Sequence, residues 1–326
     1  MSNGLYLVDF HAHLQGPGGM GNLCPGDQQS AFFRHAVPFL EQVAHLSEPV
    51  HDQLLRHLAL NYRDALSRFV YGSFGKLGLM EALRLFKRYD LPKLLSSMDS
   101  LGIAHVVICS LEPLTMTQEL IELTGAHKHR ISIFASVSRD EPDPIKYLTP
   151  FVDSGAIAGL KIHPVVGGYA CGELYHKTKD LAALASETGL PIVIHTGHIP
   201  VEQLNGIAGC NEVRAIEPLI AGFPKVKFVL AHIGWESWRQ VLGLAKQYPN
   251  ALVETSWQPA RIIRRAVDVL GPERVLFGSD YPLFKQSLAL RQVRQALTAR
   301  EFVLVASVNA LRLLRLSRPA QEKRVV

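Results

Sequence analysis

Cysteine is scarce in this sequence: Cys24, Cys109, Cys171 and Cys210 stand far apart in 326 residues, with no CxxC pair among them. A chain of this length buries a core without disulfides, so the four read as reduced thiols, not as a covalent framework or a thiolate metal site. No apolar run approaches the roughly 18 to 20 residues of a membrane span, so no membrane association is expected. The first residues reach Asp9 and His11 without the basic and apolar regions of a signal peptide, which makes cytoplasm the expected location. Dense blocks of Lys and Arg are also missing. The 34 basic and 29 acidic residues leave a diffuse +5 that points away from nucleic acid and suits a small, anionic substrate. Low-complexity tracts and internal repeats are lacking as well, which excludes a solenoid.

What the sequence does contain is alternation. From residue 92 onward, short β-branched runs ending in polar or glycine residues alternate with helical stretches, the signature of a parallel sheet. The strand candidates are 5–10, 103–110, 131–137, 158–163, 191–195, 227–232, 251–257 and 274–280. Helix candidates fall at 92–100, 116–127, 144–154, 176–188, 212–221, 236–247, 259–270 and 285–297, with a further apolar helix near 301–316. Gly102, Gly155, Gly189 and Gly271 follow helices, and Pro92, Pro144 and Pro259 stand near helix starts. Eight strands each followed by a helix make a (β/α)8 TIM barrel; a doubly wound open sheet is the rival, and the regular spacing favours closure.

The first unit is the exception. Residues 15–90 open with the glycine-rich QGPGGMGN and continue with helical stretches, and subtracting them leaves about 250 residues, the usual barrel size. The expectation is a single barrel over residues 1–326, with 15–90 a mostly helical insertion over the C-terminal mouth that serves as a lid or a subunit contact, making a homodimer plausible. His35, His45, His51 and His57 of this segment read as solvated or packing residues.

Catalytic groups of such barrels sit at the C-terminal ends of the strands. Read that way, strand one ends in Asp9, His11 and His13, strand four carries Lys161 and His163, and strands five, six and eight end in His195, His232 and Asp280. His11 and His13 alternate with Ala12 and should face the same way, about 6 to 7 Å apart along the strand, close enough to share a small cation. Neutral imidazole and carboxylate suit Zn²⁺, whose catalytic sites keep a position for water. His195 and Asp280 would complete that set. Each signal is ordinary alone; their joint placement at the ends of separately counted strands is not.

In order along the chain, DFHAHL, GLKIHP, PIVIHTG, VLAHIGW and LFGSDYP, with VNALRLLRL near the end, resemble the amidohydrolase superfamily of metal-dependent barrels, in the branch that also contains aminocarboxymuconate-semialdehyde decarboxylase. The resemblance covers strand one and nearly everything from about residue 92. It implies that His11, His13, His195 and Asp280 bind the metal and that His232 stands beside bound water or substrate. Asp280 would move the proton. Superfamily relatives with two metals carbamylate a strand-four lysine, but GLKIHP resembles the single-metal branch. One zinc ion, or another divalent metal, is therefore expected, with Lys161 an unmodified cation near substrate or Asp280. The plainer reading of Lys161 is a partner for an acid inside the barrel.

Smaller expectations attach to other residues of the mouth. His163, facing as Lys161 does, could touch substrate; Arg139 could clamp a substrate carboxylate or be a surface arginine. His198, Trp235 and Trp257 could wall the pocket or simply pack. Asp9, one step deeper in strand one, is expected to orient an imidazole from behind or to pair with a buried cation. The resemblance leaves the reaction open. The leading reading is hydrolysis of an ester, lactone or amide in a small, anionic, cyclic or aromatic compound, to which GLKIHP leans. The alternative is non-oxidative decarboxylation of an aromatic or unsaturated acid, and a non-catalytic binding barrel is third, since neither ligands nor the proton-transfer carboxylate are missing.

Overall fold

The computed structural model describes residues 5–15, 90–138, 140–169, 172–197 and 213–317. The interior of the expected insertion, Arg139, His198, Cys24, Cys171 and Cys210 therefore lie outside the described residues. Eight strands form one sheet in sequential order: β1 (Leu7–Ala12), β2 (Ile103–Cys109), β3 (Ile131–Ala135), β4 (Gly159–Ile162), β5 (Ile192–Ile194), β6 (Phe228–Leu230), β7 (Ala251–Glu254) and β8 (Val275–Leu276). All seven neighbouring pairs are parallel. The edge left open at β1 is met by the chain around β8: Phe10 N–H donates to Phe277 O at 2.8 Å, Asp280 N–H to His11 O at 2.7 Å and His13 N–H to Tyr281 O at 2.6 Å. Closure satisfies the backbone groups that an edge would expose, and the result is the TIM-barrel fold expected from the strand count.

The helices between strands are α1 (Leu91–Leu101), α2 (Thr117–Thr124), α3 (Pro144–Asp153), α4 (Leu174–Thr188), α5 (Val213–Gly222), α6 (Trp238–Gln247), α7 (Ala260–Leu270) and α8 (Gln286–Ala296). Their ends follow sequence chemistry. Asp90 accepts from Lys93 N–H ahead of the Pro92 turn, and Gly102 stops the same helix at φ 69°, a left-handed conformation in which a side chain would be strained. The expected C-terminal helix is broken in three: α9 (Ala299–Val303), a π-helical turn (Leu304–Val308) and α10 (Asn309–Leu313). Among the described residues no helix is long and apolar enough to cross a membrane.

Burial divides the apolar residues into two layers. Val8, Phe10, Val107, Cys109, Phe134, Val193, Val229, Leu252 and Leu276 fill the lumen, and Ala310, Leu311 and Leu314 close it from below. Phe10 meets Phe134 edge-on at 5.5 Å, a contact of about 0.5–1.5 kcal/mol beyond its buried area. Gly159 is required here, because a Cβ there would lie 2.4 Å from the Phe134 ring. The second and larger layer packs the outward strand faces against the helices. Cys109 is in the lumen, where burial pushes its thiol up to about 12, so it stays protonated and unreactive.

Two strands end earlier than their apolar text suggests. β6 stops at Leu230, and His232, Ile233, Gly234 and Trp235 follow with φ of 60°, 46°, 72° and 48°. His232 is thus carried by a left-handed turn beyond the strand and not by the strand end itself. One acceptor and one donor hold that unfavourable backbone: Glu254 Oε1 takes His232 N–H at 2.6 Å, and Gln258 Nε2 donates to His232 O at 2.5 Å and Trp235 O at 3.2 Å. β8 covers only Val275–Leu276, so Asp280, at φ 63°, is likewise placed by a turn.

Candidate metal centre and active site

His11, His13, Lys161, His195, His232 and Asp280 are all buried and converge at the C-terminal end of the barrel. His11 and His13 meet with their Nε2 atoms 3.1 Å apart, and Asp280 Oδ1 lies 3.1 Å from His13 Nε2 and 3.6 Å from His11 Nε2. Ligand atoms of His11, His232 and Asp280 fall within 4.8 Å of one another. His163 stacks on His195, ring centroids 4.0 Å apart, and is more exposed than the rest of the cluster.

Two of the rings have their protons fixed by what stands behind them. His13 Nδ1 lies 2.8 Å from Cys109 O, and a carbonyl only accepts, so Nδ1 carries the hydrogen and Nε2 a lone pair. His11 Nδ1 lies 3.0 Å from Glu254 Oε1, while His11 Nε2 lies 3.0 Å from Lys161 Nζ, a donor. Two lone pairs and a carboxylate oxygen thus face one point. Without a cation that arrangement is repulsive; among the described residues Lys161 relieves it on one side. Asp280 Oδ1 and His195 Nε2 are moreover buried with no hydrogen-bond partner among the described residues. An oxygen and imidazole nitrogens of this kind fit a divalent ion such as Zn²⁺ or Mn²⁺.

The surroundings suppress positive charge on the rings. Burial, reinforced chiefly by Lys161 or by neighbouring histidines, holds His11, His195, His232 and His163 well below the usual imidazole range. Lys161 is itself lowered by burial. Neutral imidazoles are the form that binds metal.

Asp280 is oriented from the other side. Trp257 Nε1–H donates to its Oδ2 at 2.6 Å, leaving Oδ1 toward the histidines. The Trp257 ring is 5.6 Å from Trp235 and 5.3 Å from Phe284, so three aromatic side chains line up beside the carboxylate. Trp235 is buried in this row.

Asp9 departs from its expected place. Its carboxylate accepts from Ser279 N–H at 2.9 Å, Ser279 Oγ–H at 2.6 Å and Gln286 Nε2 at 2.8 Å, and among the described residues it meets neither an imidazole ring nor a cation. The alternation from which it was to face the mouth breaks at an irregularity in the β1–β2 register between Asp9 and Ala12. Asp9 turns toward α8 and anchors the LFGSD loop, despite burial that pushes its carboxyl up to about 6. Lys161 also differs from its plainer reading: its partner is His11, not an acid.

Sequence reasoning missed Glu254, fully buried at the end of β7. The signal was available, for a glutamate in the apolar run ALVETSW, two residues after lumen-facing Leu252, shares that residue's face. Ser256 and Gln286 were missed with it.

Comparison with solved structures gives the same barrel at low identity. An uncharacterized TIM-barrel protein from Bordetella bronchiseptica superposes with a TM-score of 0.64 at 16% identity, covering 95% of this chain and 98% of that one. The 5-carboxyvanillate decarboxylase of Sphingomonas paucimobilis gives 0.57 at 18%, covering 96% and 100%. The corresponding enzyme from Novosphingobium aromaticivorans, complexed with manganese and 4-hydroxy-3-methoxy-5-nitrobenzoic acid, gives 0.61 at 13%, covering 97% of each. A search of curated protein sequences finds no match. The amidohydrolase family profile matches residues 67–316, and the chain belongs to that family, as an enzyme of the amidohydrolase superfamily.

Proposed function

We propose that this enzyme is a metal-dependent, non-oxidative decarboxylase of a small aromatic carboxylic acid, in preference to the hydrolase that GLKIHP suggests. The observation that carries the reading is the junction in one mouth of a cation-binding donor set with the Trp235–Trp257–Phe284 row, an apolar run of mutually tilted rings beside Asp280. The aromatic-acid decarboxylases among the structural neighbours support it.

His11, His13 and Asp280 would hold one divalent ion, with His195 as the fourth ligand, because His232 Nε2 is already engaged by His195 Nδ1 at 3.1 Å while His195 Nε2 has no partner. When bound, the ion would supply Lewis acidity toward the substrate's oxygen atoms. Lys161, neighbouring that set, would add positive charge for the carboxylate. Decarboxylation forms one C–H bond and breaks one C–C bond: the ring carbon takes a proton, and the pair from the broken bond returns to the ring as CO₂ leaves. We assign the proton transfer to Asp280, whose carboxylate would take up the proton released by an acidic hydroxyl or carboxyl group of the substrate, or one from water, and pass it to the ring carbon, with Trp257 securing Oδ2, and the orienting of the substrate to His232. The Trp235–Trp257–Phe284 row would help to keep water from competing for the carbon. The insertion over 15–90 and His163, Arg139 and His198 would shape specificity.

The test is metal analysis of the purified protein followed by incubation with hydroxylated aromatic acids in D₂O. Release of CO₂ with one deuterium at the vacated carbon supports the assignment. Inactivity on every acid, with ¹⁸O from water entering products of an ester and lactone panel, would overturn it in favour of hydrolysis.

A further inference from the structure

Glu254 has no place in the chemistry above, yet it is fully buried between β1 and β6 and touches both sides of the centre. Its carboxylate is saturated. Oε1 accepts from His11 Nδ1–H at 3.0 Å, His232 N–H at 2.6 Å and Ser256 Oγ–H at 2.7 Å, and Oε2 accepts from Ser256 N–H at 2.7 Å. Two of these donors are backbone amides, which cannot reverse roles, and a carboxylate offers about four acceptor positions.

The consequences run outward through hydrogen bonds of fixed direction. His11 must carry its proton on Nδ1, and Lys161 Nζ, donating to His11 Nε2 at 3.0 Å, requires the same independently. Ser256 Oγ spends its hydrogen on Glu254, so it can only accept from His232 Nδ1, 2.6 Å away. His232 Nε2 is then a lone pair, and its contact with His195 Nδ1 at 3.1 Å makes the latter the donor. That leaves His195 Nε2 unprotonated, a buried nitrogen without a hydrogen-bond partner among the described residues. The fold makes room for the carboxylate at Gly278, where a Cβ would lie 2.3 Å from Glu254 Oε2.

We propose that Glu254 is the positioning residue of this site: one carboxylate fixes the tautomers of His11 and His232 and, through Ser256 and His232, that of His195, so that His11 and His195 each offer the site an unprotonated Nε2 while the Nε2 of His232 holds the His195 ring. The consequence for metal affinity rests on the metal-dependent reading above; the tautomers themselves do not.

The experiment uses the full-length, metal-stripped protein with ¹⁵N-labelled histidine and long-range ¹H–¹⁵N correlation spectra, which distinguish protonated from unprotonated ring nitrogens. The wild type should show Nδ1–H tautomers for His11, His232 and His195. Glu254→Gln places an NH₂ where a donor must be accepted; it should mix the tautomers of all three and weaken Mn²⁺ or Zn²⁺ binding by about 10- to 100-fold. Ser256→Ala, which removes only a hydroxyl and guards against a misfolded Glu254 variant, should disturb His232 and His195 and leave His11 unchanged. Wild-type-like tautomers in both variants, or disturbance of His11 by Ser256→Ala equal to that of His232, would overturn the proposal. A wild type that binds neither ion yet shows the three tautomers would sink the metal-dependent reading while sustaining the role of Glu254.

Discussion

Trp257 Nε1 and Asp280 Oδ2 stand 2.6 Å apart, a charge-assisted hydrogen bond joining residues that both occupy left-handed backbone, at φ 60° and 63°. The bond leaves Asp280 a single inward oxygen. Trp257→Phe keeps an aromatic ring and deletes the donor; hydrogen bonds to charged groups contribute about 1.5–3 kcal/mol, so kcat should fall roughly 10- to 100-fold. KM should change much less, since the ring wall remains. Steady-state kinetics on an aromatic acid that the wild type turns over check this, and an unchanged kcat would detach Trp257 from catalysis.

Metal content gives a second check. Lys161 Nζ stands 3.0 Å from His11 Nε2, an amine beside one of the proposed ligand rings, consistent with an unmodified lysine and not with a bridge between two ions. The expected stoichiometry is one divalent ion per chain, and intact-mass measurement should find Lys161 unmodified. Two tightly held ions together with a carbamate on Lys161 would contradict this.

Gly278→Ala should be costly although its side chain is the smallest possible addition. The new Cβ would lie 2.3 Å from Glu254 Oε2 and 3.2 Å from His11 Cβ, inside a fully buried cluster. Overpacking of this kind typically costs about 1–3 kcal/mol. Chemical denaturation should show the loss, and metal affinity should fall with it.

Away from the mouth, Arg264 pairs with Glu301 through bonds of 2.7 and 2.9 Å, and Glu301 also closes the capping box of α9 with Thr298. The Arg264 guanidinium, then the cap, hold the Glu301 carboxyl at about 2, down from 4.5. Because the folded value lies below the unfolded one, the stabilisation is complete above about pH 4.5 and disappears as the pH falls toward 2. Glu301→Gln keeps a polar cap and removes the charge. Its melting temperature should be below that of the wild type near pH 6 and converge with it near pH 2 to 3; a constant gap would refute the linkage.

Much of this architecture is legible in the residues themselves. Strand positions follow from apolar runs, helix stops such as Gly102 from backbone chemistry, and the convergence of the mouth histidines and Asp280 at one end of the barrel from the order of strands around it. The misreadings share one cause, the assumption of unbroken alternation. A register irregularity turns Asp9 toward α8, and a left-handed turn carries His232 past the end of β6. Neither leaves a trace in hydropathy. Glu254 was legible and overlooked, because attention to the last residue of each run favoured Trp257 over the carboxylate three positions earlier.

The seam between β1 and β8 has a consequence for how the protein is made. His11 and Asp280 are joined across it by the bond from Asp280 N–H to His11 O, although 269 positions separate them in the sequence. A ribosome must release nearly the whole barrel before the two can meet, so a nascent chain owns half a binding site for most of its synthesis. An ion bound there as proposed would clasp the finished cylinder across the last seam to be made.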